Sequence, residues 1–423
     1  MSVLSSFEKR VPDYVPSVSL PDWRYKLGFF ATFTLLFLHP FWGNARVPAA
    51  ILMLLGLAWW VIDKHVRQDA SQHRWVLLMA CVAIPVFASW PGSFDSGETL
   101  EHVVLMVGMV FMGSALIAVL QQPGAPDLIK WLFAGLLILW VFDGLLQMFL
   151  GRDLLWLPQR LTTHGSRVVG MYGHHLYLSW VLLLLLPLTL WGLMQKRPYL
   201  ALMILLATGV VIMGTGLRAA FLSWLIVSAA FLWHLKLPRK SMIVVGLVAL
   251  LGAAVALSPI AQRKLADTKL DSLTFEQVDK LLNGRGYIWE TGWLMFRDNL
   301  VTGVGSGAYS AAYNTYSYRP NDIFGPNSGR EPPYHAHQMY VAILAERGML
   351  GGIGILFAWL LLLRWYFKAA PLVRERARPF AISLFAVAFP INTQPPMLKM
   401  WWVPLFVFIV AALLSALSDQ EDA

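Results

Sequence analysis

The sequence predicts an all-α, polytopic membrane protein with about 12 transmembrane helices. Three observations predict it. Of the 423 residues, 57% are hydrophobic and only 13% charged, whereas ordinary soluble domains carry about 25% charged residues. Mean hydropathy is +0.59. The apolar residues gather in runs that approach the ~20 needed to cross hydrocarbon as a helix.

In chain order, residues 1–24 are polar, contain Pro and lack the apolar core of a signal peptide, so they read as a cytosolic tail. Nine apolar segments follow within 25–258, roughly 25–43, 46–62, 74–91, 99–121, 128–150, 171–194, 198–214, 217–235 and 241–258. A polar stretch, 259–336, interrupts them. Three more segments, roughly 337–366, 379–394 and 399–417, lead to a second cytosolic tail, 418–423. With residue 1 in the cytosol, the cytosolic connections hold 18 Lys and Arg and the short opposite loops hold 6. That bias places both termini inside and the 259–336 loop outside. It also accounts for the net charge of +9, so no nucleic-acid partner is implied. Cys81 is the one cysteine, which excludes an internal disulfide and a Cys-based metal site.

The 78-residue loop is too long to be a plain connection. Residues 261–282 alternate leucines with charges and predict one or two amphipathic helices at the membrane surface. A further helix is expected over Tyr287 to Asp298, with Trp289, Trp293 and Phe296 as its apolar stripe. The first turns of segment 337–366 carry Glu346 and Arg347 and are expected above the membrane or against protein.

The outward face gathers the residues suited to chemistry: Arg160, Arg167, His174 and His175, then Arg218 behind two glycines, Arg285 between Gly284 and Gly286, and His335 with His337. Charges at membrane depth are costly and usually functional. A guanidinium is always charged and its fork of donors matches phosphate oxygens. Arg218 and Arg285 together suit a diphosphate; each alone is equally a snorkelling anchor. A histidine titrates near working pH and suits a general base, although His335 and His337 also fit a structural cap. A metal would want a third ligand, and neither Asp322 nor Glu331 stands at a recognisable spacing. Gly303, Gly305 and Gly307 resemble a phosphate loop, but no G-K-[ST] follows.

Together these residues resemble the O-antigen ligase and polymerase family of bacterial inner-membrane proteins, most closely its ligases. Gly303, Gly305 and Gly307 fit the family's glycine loop, His335 and His337 its histidine pair, and Glu346, Gly348 and Gly351 its E-x-G-x-x-G helix. Arg218 and Arg285 fit its two arginines, and Gln338 stands where the family has Asn. The resemblance spans roughly 160–370. It implies a GT-C-type fold, with a large periplasmic loop between helices 9 and 10. It also implies transfer of O-antigen from undecaprenyl diphosphate to lipid A–core oligosaccharide, on the periplasmic side of the inner membrane and without cofactor or metal. His337 is then the catalytic base, and Arg218 and Arg285 bind the diphosphate. His335, Gln338, Glu346, Arg167 and His174 take supporting roles. Tyr309, Tyr313, Tyr316, Tyr318 and Tyr334 are candidates to stack on sugars. An O-antigen polymerase is the nearest rival reading. A polysaccharide transporter is a more distant one, and no internal repeat supports it.

Overall fold

The computed structural model describes residues 22–122, 124–162, 165–234, 274–282, 284–389, 398–399 and 401–418. The expected segment 241–258 and the amphipathic stretch 261–273 lie outside the described residues.

Every other expected segment overlaps a helix over its described residues. In order they are α1 (Asp22–Phe37), α2 (Trp42–Ile62), the short α3 (Lys64–Gln68), α4 (Ala70–Ala88), α5 (Ser96–Leu120) and α6 (Ala125–Leu150). Then come α7 (His175–Lys196), α8 (Pro198–Thr215), α9 (Arg218–His234), α10 (Phe275–Leu281), α11 (Arg285–Asp298) and α12 (Tyr309–Tyr316). The last three are α13 (Met339–Lys368), α14 (Pro371–Ala388) and α15 (Val403–Ala416). Among the described residues, seven helices are long and apolar enough to cross a membrane: α2, α4, α5, α6, α7, α8 and α13. Two more, α9 and α15, are apolar but shorter. The chain is therefore polytopic, although among the described residues fewer helices reach full spanning length than the twelve expected of the whole chain. One small departure from the all-α expectation is an antiparallel hairpin of β1 (Arg160–Thr162) and β2 (Gly165–Arg167), which sets Arg160 opposite Arg167.

The helices share one apolar core, with Trp180, Trp224, Trp402 and Phe408 among its fully buried side chains. Buried polar groups within it are bonded across helices. Trp75 Nε1 donates to the Val110 carbonyl at 2.8 Å, and Gln72 Nε2 to the Ser114 carbonyl at 2.9 Å. Such bonds are a favoured glue where surrounding lipid is as apolar as the side chains. The polar passage has a second, smaller core of Ile288, Met295, Val304, Tyr309, Tyr313 and Ala345. Helix α11 begins at Arg285 and buries Ile288, Thr291, Gly292 and Met295. The expected stripe is therefore corrected: Trp293 points out, and its ring packs on Phe296. Tyr309 and Tyr313 are fully buried as well, with hydroxyls bonded to the Ile288 carbonyl and Asp322. Neither is a sugar platform; Tyr318 and Tyr334 remain exposed.

The feature that positions the site is a break in α13. Gly348 has φ +58 and ψ −154, far from helical. A Cβ on Gly351 would lie 3.0 Å from Ile343 Cγ2, two turns earlier, so the arms before and after the break fold sharply on each other. In an intact helix the amides of Met349 and Leu350 would bond the carbonyls of Ala345 and Glu346. Instead they donate to Leu300 (2.8 Å) and Val301 (3.2 Å), while the freed carbonyls accept from Val304 (2.9 Å) and Gly305 (3.1 Å). The glycine loop is threaded into the gap and satisfies all four orphaned groups. It needs Gly303, with φ +66, because a Cβ there would sit 2.3 Å from the Glu346 carbonyl carbon. Gly303 therefore serves as the wedge in a helix, while Gly305 and Gly307 pack closely on Ser93 and His102.

Candidate functional site

The turn that enters α13 and the arm before the break carry four of the predicted residues, His335, His337, Gln338 and Glu346. His337 follows the fully buried Ala336, whose carbonyl accepts from Trp289 Nε1 at 3.0 Å. His337 adopts φ +52, unusual for a residue with a side chain. Its amide donates to His335 Nδ1 at 2.9 Å, and the two rings lie 4.3 Å apart. Gln338 is the N-cap of α13, its side-chain oxygen accepting from the Val341 amide at 2.7 Å. A side chain that bonds an orphan amide is what an N-cap requires, so Gln338 fills the capping role at this position. The turn, and not a strand or helix, brings both imidazoles together.

Arg285 is the first residue of α11, behind Gly284 in the left-handed region. The α11 amide end is occupied by Asp279, whose carboxylate accepts from the Tyr287 amide at 3.2 Å. Arg218 opens α9, just after the left-handed Gly216, and is exposed. Arg167 lies against that same turn: a Cβ on Gly216 would meet its Nε at 3.5 Å, and its NH1 lies 2.9 Å from His175 Nε2. His174 caps α7, its Nδ1 accepting from the Leu176 amide at 3.3 Å, and its ring stacks on His175 and Tyr177.

These residues, distant in sequence, act on one another electrically. Burial, then repulsion by Arg218, weakens the hold of Arg285 on its proton. Burial, then Arg160 and Arg218, does the same at Arg167. Burial and the charge of Arg285 push His337 down to about 4. His335 is pushed far below its ordinary value by burial, then His337, Lys399 and Arg285. His174 is lowered to about 4 by burial, then Arg160 and Arg167. Both imidazoles of the 335–337 turn are thus neutral at physiological pH. Among the described residues no carboxylate is ion-paired with Arg218, Arg285 or Lys399, so the cluster is a concentrated positive field suited to an anion.

Glu346 lies beneath this surface and does not face it. It is buried, 3.6 Å from Arg347 NH2. Arg347 Nε also donates to Ser306 Oγ (3.1 Å), which contacts His102 Nδ1 at 3.0 Å. This network secures the wedge. Among the described residues no group of three or more His, Cys, Asp or Glu is placed to hold a metal ion.

Sequence reasoning missed Lys399 and His102. Lys399 sits 4.9 Å over the exposed Tyr334 ring and within electrostatic reach of His335. It had counted only as a loop charge, and a single Lys before an apolar segment carries no further signal.

Residues 200–356 match the family model described as O-antigen ligase. That match covers 157 of the 423 residues and supports an O-antigen ligase family assignment. No curated relative matches it. The matched span holds Arg218, Arg285, His335, His337, the wedge and the break, while Arg167, His174 and Lys399 lie outside it. Members of the O-antigen ligase family are ligases or polymerases, enzymes of glycosyl transfer, with polysaccharide and lipid substrates in general.

Proposed function

We propose that this member is an O-antigen ligase that transfers the polysaccharide from undecaprenyl diphosphate to lipid A–core oligosaccharide at the periplasmic face of the inner membrane. In this reading the fold is of the GT-C type and residues 259–336 are periplasmic. The observation that carries it is the gathering of Arg218, Arg285 and a neutral His337 within one electrostatic neighbourhood. Arg218 and Arg285 hold the diphosphate and stabilise the charge that develops on it as it leaves, which a pair of guanidinium forks does without a divalent ion. His337 takes the proton from the acceptor hydroxyl. Attack from the side opposite the diphosphate inverts the anomeric centre.

After burial, the charge of Arg285 lowers His337 in the free enzyme, and that part makes the base depend on the donor. An opposite charge nearby favours the charged form of a histidine. A bound diphosphate offsets Arg285, so His337 gains proton affinity when the donor is present. His335 orients it through the bond to the His337 amide. The test is reconstitution with lipid-linked O-antigen and core–lipid A. A product on core–lipid A is expected, and a longer lipid-linked chain in its place identifies a polymerase.

A further inference from the structure

The turn after α6 exposes a run of large apolar side chains: Leu154, Leu155, Trp156 and Leu157, with Leu161 on the adjoining strand. Trp156 is 72% exposed and Leu161 84%. Such side chains in a loose loop would mean little, but this turn is built from beneath. Asp143, Gln147 and Asp153 are all fully buried. Asp153 Oδ1 accepts from the amides of Leu155 (2.9 Å) and Leu157 (2.7 Å), and Asp143 Oδ1 from Leu154 (2.8 Å). Gln147 Nε2 donates to the carbonyls of Leu157 and Pro158, both at 3.3 Å. Arg152 NH1 closes the turn on the Trp156 carbonyl at 3.0 Å.

The backbone at the tip is in the left-handed region, with φ +67 at Trp156. Glycine or Asn adopts that conformation readily and a bulky residue resists it. The turn thus holds an indole out where its own backbone favours glycine. The tip also continues a stripe of α6, a spanning helix, on which Trp131, Phe142, Phe149 and Leu150 are exposed. Side chains exposed along a spanning helix face lipid. Tryptophan prefers the bilayer interface, and arginines there reach headgroup phosphates; Arg152 and Arg160 bracket the tip.

We propose that residues 152–161 form a lipid-seated anchor, with Trp156 and its neighbouring leucines inserted among the bilayer lipids at this end of the helices and Arg152 and Arg160 on their phosphates. The same buried groups carry the anchor's position onward. Asp143 Oδ2 accepts from the Met171 amide at 2.8 Å, and Gln147 Oε1 from the amides of Val169 and Gly170. Seating the tip therefore sets the height of the hairpin that bears Arg160 and Arg167.

The test places nitroxide labels on the full chain in phospholipid nanodiscs. Cysteines replace Trp156, Leu161 or Asn327, one at a time, in a Cys81→Ala background. Collision with oxygen, which partitions into lipid, is compared with collision with a water-soluble nickel chelate. Labels at 156 and 161 are expected to favour oxygen, and the label at 327, on an exposed loop, to favour nickel. A label at 156 that favours nickel as Asn327 does, or that is shielded from both, overturns the proposal; the second outcome means a protein covers the tip. Adding Trp156→Gly, which suits the turn's backbone, should leave the unfolding midpoint unreduced yet move the Leu161 label toward nickel. An unchanged reading at 161 removes Trp156 from the seat. None of these readouts depends on glycosyl transfer.

Discussion

Replacing Gly303 by Ala should destabilise the protein far more than the loss of one glycine's freedom explains. The new Cβ would stand 2.3 Å from the Glu346 carbonyl carbon, 2.4 Å from the Arg347 nitrogen and 2.5 Å from the Ala345 oxygen. All three are backbone atoms of a packed helix arm, so the loop has to withdraw. A left-handed Ala costs about 1–2 kcal/mol. Withdrawal breaks the four wedge hydrogen bonds, at about 1 kcal/mol each and so about 4 kcal/mol in all. The expected loss is about 5–6 kcal/mol on these figures. Gly329→Ala isolates the conformational share: its φ is +68, yet nothing lies within 4 Å of the added Cβ. It should cost only about 1–2 kcal/mol. Because large membrane proteins seldom unfold reversibly, unfolding midpoints are compared at one scan rate. Equal shifts for the two variants would show that the loop is not wedged in the helix.

Other outcomes follow from the site. Arg218→Lys and Arg285→Lys should each lose on the order of 2–4 kcal/mol of transition-state stabilisation in reconstituted transfer, because a point charge lacks the fork geometry; parental rates in both would put the diphosphate elsewhere. His337→Ala should fold, bind donor and lose about 10²- to 10⁴-fold in rate, with a smaller loss for His335→Ala; normal transfer by the first variant refutes the base. His337 must be neutral to accept a proton, so kcat/KM should hold at neutral pH and fall as pH drops through about 4. The limb in kcat should lie at higher pH, because bound donor raises His337; a kcat limb at lower pH contradicts the proposed coupling. For topology, Gln68→Cys and Asn327→Cys in a Cys81-free background should differ toward an impermeant thiol reagent in intact cells, with only the second labelled.

The spanning helices were legible because hydrocarbon demands long apolar runs and few other segments supply them. Even the start of α7 beside His174 and of α9 at Arg218 came within a few residues of expectation. What stayed hidden depends on partners remote in sequence. Gly348 breaks α13 because Leu300 to Gly305 offer replacement bonds, and no periodicity in either stretch reports the other. The α11 stripe was misread because both Trp289, Trp293, Phe296 and Ile288, Thr291, Met295 satisfy a helical period, and only the surrounding core chooses between them. The loop tyrosines divided for the same reason: composition places aromatics at an interface without saying which are inside its second core. At the site, the arginines and histidines stood out by residue type, whereas the capping role of Gln338 and the bond between Arg167 and His175 required coordinates.

The wedge also has a topological meaning. It fastens residues 300–305 to residues 345–350, so the chain between them leaves from and returns to one fixed seam. Closing a loop costs little extra for each added residue once its ends are held. The exposed stretch 326–331 of that span can therefore lengthen, shorten or change composition while the 335–338 turn stays registered to α13. It behaves as an exchangeable cassette hung from a rivet. Under the proposed function, exchanging it for the same stretch of similar proteins asks whether it selects the glycan, with the 335–338 turn left undisturbed.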